Sequence, residues 1–118
     1  MSTAADEYLA QLLARIPALR AVLLTDRDGV RLAGAGDETA EYLPAFSVAT
    51  DQASKLGMGA NAALTAFYED ALLVQGNIGG LVLSLLAAAD GNVGLLRAVL
   101  PEARVVLEPL RAAVTVAE

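Results

Sequence analysis

Carboxylates are the main side chains in this sequence that could carry out acid–base chemistry, because it contains no histidine and no cysteine. Paired carboxyl groups act as general acid and base when their surroundings push their pKa values apart. The candidates are Asp26 with Asp28, Glu69 with Asp70, and the single Asp90. All five fall in predicted exposed turns, where nothing would raise a pKa or exclude water. We therefore predict no catalytic residue and no enzymatic activity.

Two short motifs begin like ligand-binding loops and do not complete the pattern. Residues 26–29, DRDG, could open a calcium loop, but residues 30–33 supply no oxygen ligands at the required spacings. Residues 75–80, QGNIGG, are rich in glycine but have no GxxxxGK[ST] motif and no following helix to hold a phosphate. We predict that both segments are turns between strands, with no bound metal ion and no cofactor.

The bulk composition restricts the partners that the chain can bind. Its net charge is −6, and no run of Lys or Arg occurs, so we predict no binding to nucleic acid. Hydrophobic residues make up 56% of the 118 residues, and the mean hydropathy is +0.53. We predict a single domain spanning residues 1–118, part of whose apolar surface is covered by a partner.

One uncharged stretch, residues 71–89, has the length of a membrane-spanning helix. Its middle, residues 75–80, is polar and rich in glycine, which favours a turn between two strands over a continuous helix. We therefore predict no direct insertion into a membrane.

Periodicity and turn residues predict three helices and five strands. The first helix has an apolar face from Leu9 to Ile16 and ends at Pro17, and the middle helix covers residues 44–56. A final helix begins after residues 90–92 and reaches about Val114, with a kink or short break near Pro101. The strands are predicted at residues 19–25, 30–33, 61–68, 71–75 and 80–87, with a loop at 34–41.

This order, α-β-β-α-β-β-β-α, predicts an α+β domain. Connections of hairpin length within each group of strands imply antiparallel pairing. The five strands should therefore form one layered antiparallel sheet with helices packed on it.

The middle helix and the strand after it are the remaining candidates for a functional site. Phe46, Ala49, Ala53 and Leu56 form one apolar stripe, and the two alanines allow close packing beneath it. Residues 61–68 carry no charge before Glu69 and no proline, so this strand lacks the usual protection against pairing with another chain. Two interpretations stay open: the strand lies inside the sheet, or it is an edge that a partner completes.

Three segments carry a resemblance to a known family: TDRDGV at 25–30, FSVATDQASKLG at 46–57, and residues 71–94. Together with the order of elements, they resemble roadblock-type domains over residues 12–114. More narrowly, the chain is similar to the Ragulator subunits of the MEK-partner, or MAP-kinase scaffold, family. The segment ATDQASKLG is the most specific part of this resemblance.

The resemblance implies a roadblock/longin-like fold, with one helix on one face of the sheet and two on the other. It also implies a heterodimer with a second roadblock-type subunit, within a larger scaffold held at late endosomes or lysosomes by a lipidated anchor subunit. Such scaffolds engage Rag-type GTPases in TOR signalling and take part in MAP-kinase signalling with its kinases. The implied partner interface lies on the middle helix and third strand, at Val48, Asp51, Gln52, Lys55, Ala62, Leu64, Ala66 and Tyr68.

Two other functions stay open at this point. The chain could be a homodimeric roadblock-type regulator of a small GTPase, or a motor light chain. It could also be a small-ligand sensor, which would need an apolar pocket of ligand size under the sheet.

Overall fold

A computed structural model describes residues 4–26, 30–36, 63–67, 69, 71–78 and 81–109 of the chain. Two helices and five strands lie in these ranges. In chain order they are α1 (Ala4–Arg15), β1 (Leu19–Thr25), β2 (Arg31–Gly36), β3 (Ala63–Phe67), β4 (Ala71–Ile78), β5 (Leu81–Ala88) and α2 (Val93–Val106).

The five strands form one sheet in the order β2-β1-β5-β4-β3, and every neighbouring pair is antiparallel. The long apolar strands β1, β5 and β4 occupy the centre, where both faces are buried. The shorter strands β2 and β3 form the two edges of the described sheet. The predicted α+β class with a five-stranded antiparallel sheet is confirmed.

Both described helices pack on the same face of the sheet, which we call the two-helix face. Its core combines Leu9 and Leu12 of α1 with Leu96 and Val99 of α2, all at most 3% exposed. The sheet side of this core consists of alternate strand residues, as the period of two in a strand requires. They are Leu19, Val22, Leu24, Ala33, Leu72, Val74, Ile78, Leu81, Leu83, Leu85 and Ala87.

The opposite face of the sheet is also buried, although no described helix packs on it. Its apolar residues are Ala21, Leu23, Ala71, Leu73 and Leu86. Polar residues share this face, and the Gln75 amide nitrogen donates a 2.9 Å hydrogen bond to Ser84 Oγ on the neighbouring strand.

The structure corrects the predicted limits of two strands. β2 runs to Gly36, although residues 34–36 were predicted as loop, because they still pair with residues 21–23 of β1. β4 runs to Ile78, although residues 75–78 were predicted as turn. Gly76 pairs there with Ala63 of β3 and Leu83 of β5, and the Leu100 side chain occupies the space that a Cβ atom would take.

The predicted break at Pro101 is wrong, because α2 is continuous from Val93 to Val106 and contains this proline. Pro101 is exposed, so the carbonyl that loses its amide partner can turn to water. The helix starts at Asn92, whose side-chain oxygen accepts a 3.1 Å hydrogen bond from the Leu95 amide. Leu107 caps its end. Residues 108 and 109 are again helical, and the predicted end near Val114 lies among residues 110–118, outside the described ranges.

The predicted middle helix, residues 44–56, also lies outside the described ranges. The stretch considered above as a membrane span contains β4 at residues 71–78 and β5 at residues 81–88. Within the described ranges, no helix is both long and apolar enough to cross a bilayer.

Candidate protein interface

Within the described part of the chain, the edge strand β3 shows no feature that would prevent another strand from pairing with it. Its five residues, ALTAF, include no charge and no proline. Its register with β4 is regular from Ala63 opposite Gly76 to Phe67 opposite Leu72. Natural edge strands usually carry a charge, a proline or a bulge, because unpaired backbone groups attract other strands. In the described sheet β3 has β4 as its one neighbour, so of the two interpretations left open by the sequence the structure supports the edge, and completion of that edge by a partner stays a prediction.

The described side chains of β3 are divided between the two faces of the sheet. Thr65 lies on the two-helix face, and its hydroxyl accepts a 2.8 Å hydrogen bond from Arg97 of α2. Phe67 is on the same face, since it pairs with Leu72, and it is 72% exposed. Ala66 is half-buried on the opposite face, against the apolar cluster there. An exposed aromatic ring at an open edge is typical of protein interfaces.

The edge strand β2 differs from β3 in three ways. It begins with the exposed Arg31, and its pairing with β1 is irregular near Leu24 and Thr25. Its central amide, that of Gly34, donates a 3.1 Å hydrogen bond to the carboxylate of Asp6 in α1. Charge, irregularity and a satisfied amide are all devices that discourage pairing at an edge.

A shallow groove of about 240 Å³ separates α1 from α2 on the two-helix face. Arg15 and Glu102 bridge it with two hydrogen bonds, of 2.7 and 3.1 Å. The hydrogen bond from Arg15 holds the pKa of the Glu102 carboxyl below its usual value and raises the pKa of Arg15. Both side chains are about half exposed, so this pair contributes little to stability.

Tyr8 of α1 lies close to this ion pair. Its hydroxyl is buried, with no well-formed hydrogen bond in the described part of the chain. Burial, reinforced by the negative charge of Glu102, raises the pKa of Tyr8 to about 12. The ring is therefore neutral at physiological pH and serves the packing of α1 on the sheet.

The carboxylates first considered for catalysis do not form a site in the described ranges. Asp26 accepts a 2.9 Å hydrogen bond from the Val30 amide, as expected of a turn, and Glu69 and Asp90 are exposed. Asp28 and Asp70 lie outside these ranges. No cluster of three or more potential metal ligands occurs among the described residues.

Comparison with known proteins decides the family. The sequence model of the family described as "Mitogen-activated protein kinase kinase 1 interacting" matches residues 3–114. The chain belongs to this family. It is 35% identical over 122 residues to the Ragulator complex protein LAMTOR3 homolog of Drosophila melanogaster, covering 98% of each chain. It is 37% identical over 117 residues to Ragulator complex protein LAMTOR3 of Danio rerio, covering 93% of this chain and 94% of that one.

A solved structure agrees with this family assignment at the level of the fold. The Roadblock/LC7 domain from Streptomyces avermitilis superposes with a TM-score of 0.70 at 18% identity, covering 89% of this chain and 95% of that one. The predicted roadblock fold and the resemblance to Ragulator subunits are thus confirmed.

Most residues of the predicted interface lie outside the described ranges: Val48, Asp51, Gln52, Lys55, Ala62 and Tyr68. Leu64 and Ala66 lie in β3, where they pair with Gln75 and Leu73 of β4, and Ala66 packs on the face opposite the two helices. The structure brings these two residues to the sheet edge, and their role in an interface stays a prediction.

Sequence reasoning missed three residues that define the edges: Phe67, Arg97 and Asp6. The alternation of β3 could have placed Phe67 beside Thr65 on one face. No local pattern connects Arg97 to Thr65 or Asp6 to Gly34, because each pair is about thirty residues apart in sequence. Such contacts become visible only when the sheet order is known.

Proposed function

We propose that this chain is a non-catalytic adaptor whose β3 edge is completed by a strand of a second roadblock-type subunit. The observation that supports this most strongly is the difference between the two edges of the sheet. β2 is protected by a charge, an irregular register and Asp6, whereas the described residues give β3 no such protection and leave Phe67 exposed.

Sheet extension would join the two subunits through backbone hydrogen bonds. The partner strand would pair with β3, and its side chains would cover Phe67 on one face. In this proposal the interface residues are those predicted on the middle helix and third strand, with Phe67 added. Each subunit would be a single roadblock domain. The two packed subunits would together present a composite surface to further partners.

Membership in a Ragulator-like complex is the wider part of this proposal. It is supported by the names of the family's relatives, which are Ragulator complex proteins. The complex would place the chain on the cytosolic face of late endosomes or lysosomes through a lipidated anchor subunit. Rag-type GTPases in TOR signalling, and kinases of the MAP-kinase pathway, would be its further partners. A GTPase would respond only through contacts that differ between its nucleotide states, since we propose no catalytic group here.

The test is co-expression with roadblock-type subunits of the same organism, followed by affinity purification and mass measurement. Phe67→Glu should abolish the heterodimer, because a buried unpaired charge is costly at an interface, and it should leave the fold intact because Phe67 is exposed. Ala66→Lys should also abolish it. Val30→Glu is the matched control, because Val30 is 57% exposed beside the other edge.

Each outcome has a clear meaning. Loss of the heterodimer with Phe67→Glu but not with Val30→Glu supports the proposal. Equal binding by all three variants places the interface elsewhere. A stable symmetric dimer of the isolated chain, with no affinity for a second roadblock-type subunit, would instead favour the homodimeric regulator.

A further inference from the structure

A carboxylate closes the second edge of the described sheet. The Gly34 amide lies in the middle of β2, and it donates to Asp6 Oδ1 instead of to β1. A strand pairs with an edge by accepting from outward-pointing amides of this kind. The carboxylate therefore occupies the position that the carbonyl group of an incoming strand would need.

The helix that carries Asp6 is held along this edge at a second point. Leu13, two turns after Asp6 in α1, lies over Gly36 at the end of β2. A Cβ atom at Gly36 would come within 2.4 Å of the Arg20 carbonyl oxygen and 2.9 Å of Leu13 Cδ2, so the backbone of β1 leaves no room for a side chain there. Gly36 also has a φ of +89°, which ends the regular strand. Asp6 is thus placed by packing and by its hydrogen bond together.

Charge strengthens the closure at Asp6. A carboxylate is a stronger acceptor for an amide than a neutral carbonyl group is. An incoming strand would also bring its own carbonyl oxygens next to a negative charge, which is unfavourable. Pairing at β2 would therefore require both displacement of Asp6 and tolerance of its charge.

We infer that Asp6 limits sheet extension in this chain to the β3 edge, so that assembly stops after one partner strand. A subunit with two open edges could add a partner at each, which produces an open filament instead of a closed pair. The part of this inference that limits extension to β3 rests on the proposed function. The closure of β2 by Asp6 is independent of that function, and the experiment measures this closure on the isolated chain.

The experiment compares Asp6→Ala, Asp6→Asn and Glu7→Ala with the unmodified full chain. Glu7→Ala is the matched control, because it removes the other acidic residue in the first turn of α1 without touching β2. Hydrogen exchange at the Gly34 amide and sedimentation over a range of concentrations are the two readouts. In Asp6→Ala we expect exchange at Gly34 and the self-association constant each to rise about tenfold, or about 1.4 kcal/mol.

Asp6→Asn should fall between the unmodified chain and Asp6→Ala in sedimentation, because its amide oxygen can still accept from Gly34 but carries no charge. A second substitution identifies the edge that is used. Asp6→Ala combined with Gly34→Pro removes the exposed donor itself and should return self-association to the level of Glu7→Ala, since proline is tolerated on edge strands.

Two results would overturn the inference. The first is a folded Asp6→Ala variant with the same Gly34 exchange and sedimentation as Glu7→Ala. The second is self-association that persists when Gly34→Pro is added, because the contact would then lie away from β2. Neither result depends on β3, so both are distinguishable from failure of the proposed function.

Discussion

Leu100 of α2 lies directly over Gly76 of β4, so that the helix rests on the bare backbone of the strand. A Cβ atom at Gly76 would come within 2.6 Å of Leu100 Cδ1 and 2.8 Å of Cδ2. Real Cβ atoms do not approach a neighbour this closely. The contact therefore sets the distance between α2 and β4, the strand with which β3 pairs.

Gly76→Ala should therefore destabilise the fold. We expect a loss of about 1–3 kcal/mol in the free energy of unfolding, typical of forcing an extra methyl group into a packed core. Denaturant unfolding measures it. Gly94→Ala is the control, because Gly94 is exposed and an added Cβ atom would meet only Asn92 Oδ1, at 3.3 Å, so the change should stay below about 1 kcal/mol in either direction. A loss in Gly76→Ala no larger than that in Gly94→Ala would contradict the contact.

Asn92 should contribute measurably to the start of α2, because its side chain accepts a hydrogen bond from the otherwise unpaired Leu95 amide. Asn92→Ala should cost about 1 kcal/mol. In a chain of this size that lowers the melting temperature by about 4 °C. Asn92→Ser keeps a capping oxygen and should remain close to the unmodified chain. Equal melting temperatures for the two variants would show that the cap is not used.

The stability of the fold should decrease at high pH because of Tyr8. Its pKa rises from 10.0 in the unfolded chain to about 12 in the folded one, so the neutral form is favoured by folding. This contribution is complete below pH 10 and is lost as the pH rises towards 12. We expect a loss on the order of 2 kcal/mol across this interval.

Tyr8→Phe isolates this effect. The variant removes a hydroxyl with no well-formed partner among the described residues, so it should be neutral or stabilising at pH 7. Its unfolding free energy should then fall less steeply than that of the unmodified chain at alkaline pH. Parallel pH profiles for the two proteins would argue against the raised pKa.

Much of the fold could be predicted because its signals are local. Alternating and continuous apolar runs locate β1 and β5 almost to the residue, and Pro17 marks the end of α1. The errors occur where a tertiary contact overrides a local rule. Gly76 suggested a turn, yet it lies in a strand because it pairs with Ala63 and Leu83 on the two neighbouring strands. Pro101 suggested a break, yet α2 continues because the proline faces solvent.

The candidate interface was only partly predictable. The absence of charge in β3 is visible in the sequence. The sequence also shows that such a strand lies either inside the sheet or at its edge. Which of these two positions β3 occupies depends on the strand order, which places β5 between β1 and β4 and leaves β3 at the edge. Protection of β2 by Asp6 depends on the same order and on the packing of α1.

Arg97 should help to hold β3 in place for a partner, since it donates a 2.8 Å hydrogen bond to Thr65 from the neighbouring helix. Because the contact is exposed, Arg97→Ala should change the global stability by less than about 1 kcal/mol. It should nevertheless speed hydrogen exchange in β3, and Thr65→Val should do the same by removing the acceptor. Unchanged β3 exchange in both variants would show that the contact does not order the edge.

Hydrogen exchange along β3, measured for the chain alone and with a co-expressed roadblock-type subunit, tests the central claim most directly. Completion of the sheet predicts that the β3 amides facing away from β4 become protected in the complex, while the amides of β2 exchange as before. Formation of the complex is checked by mass measurement. If the outward amides of β3 then exchange equally fast with and without the second subunit, the claim that a partner strand completes the β3 edge is contradicted.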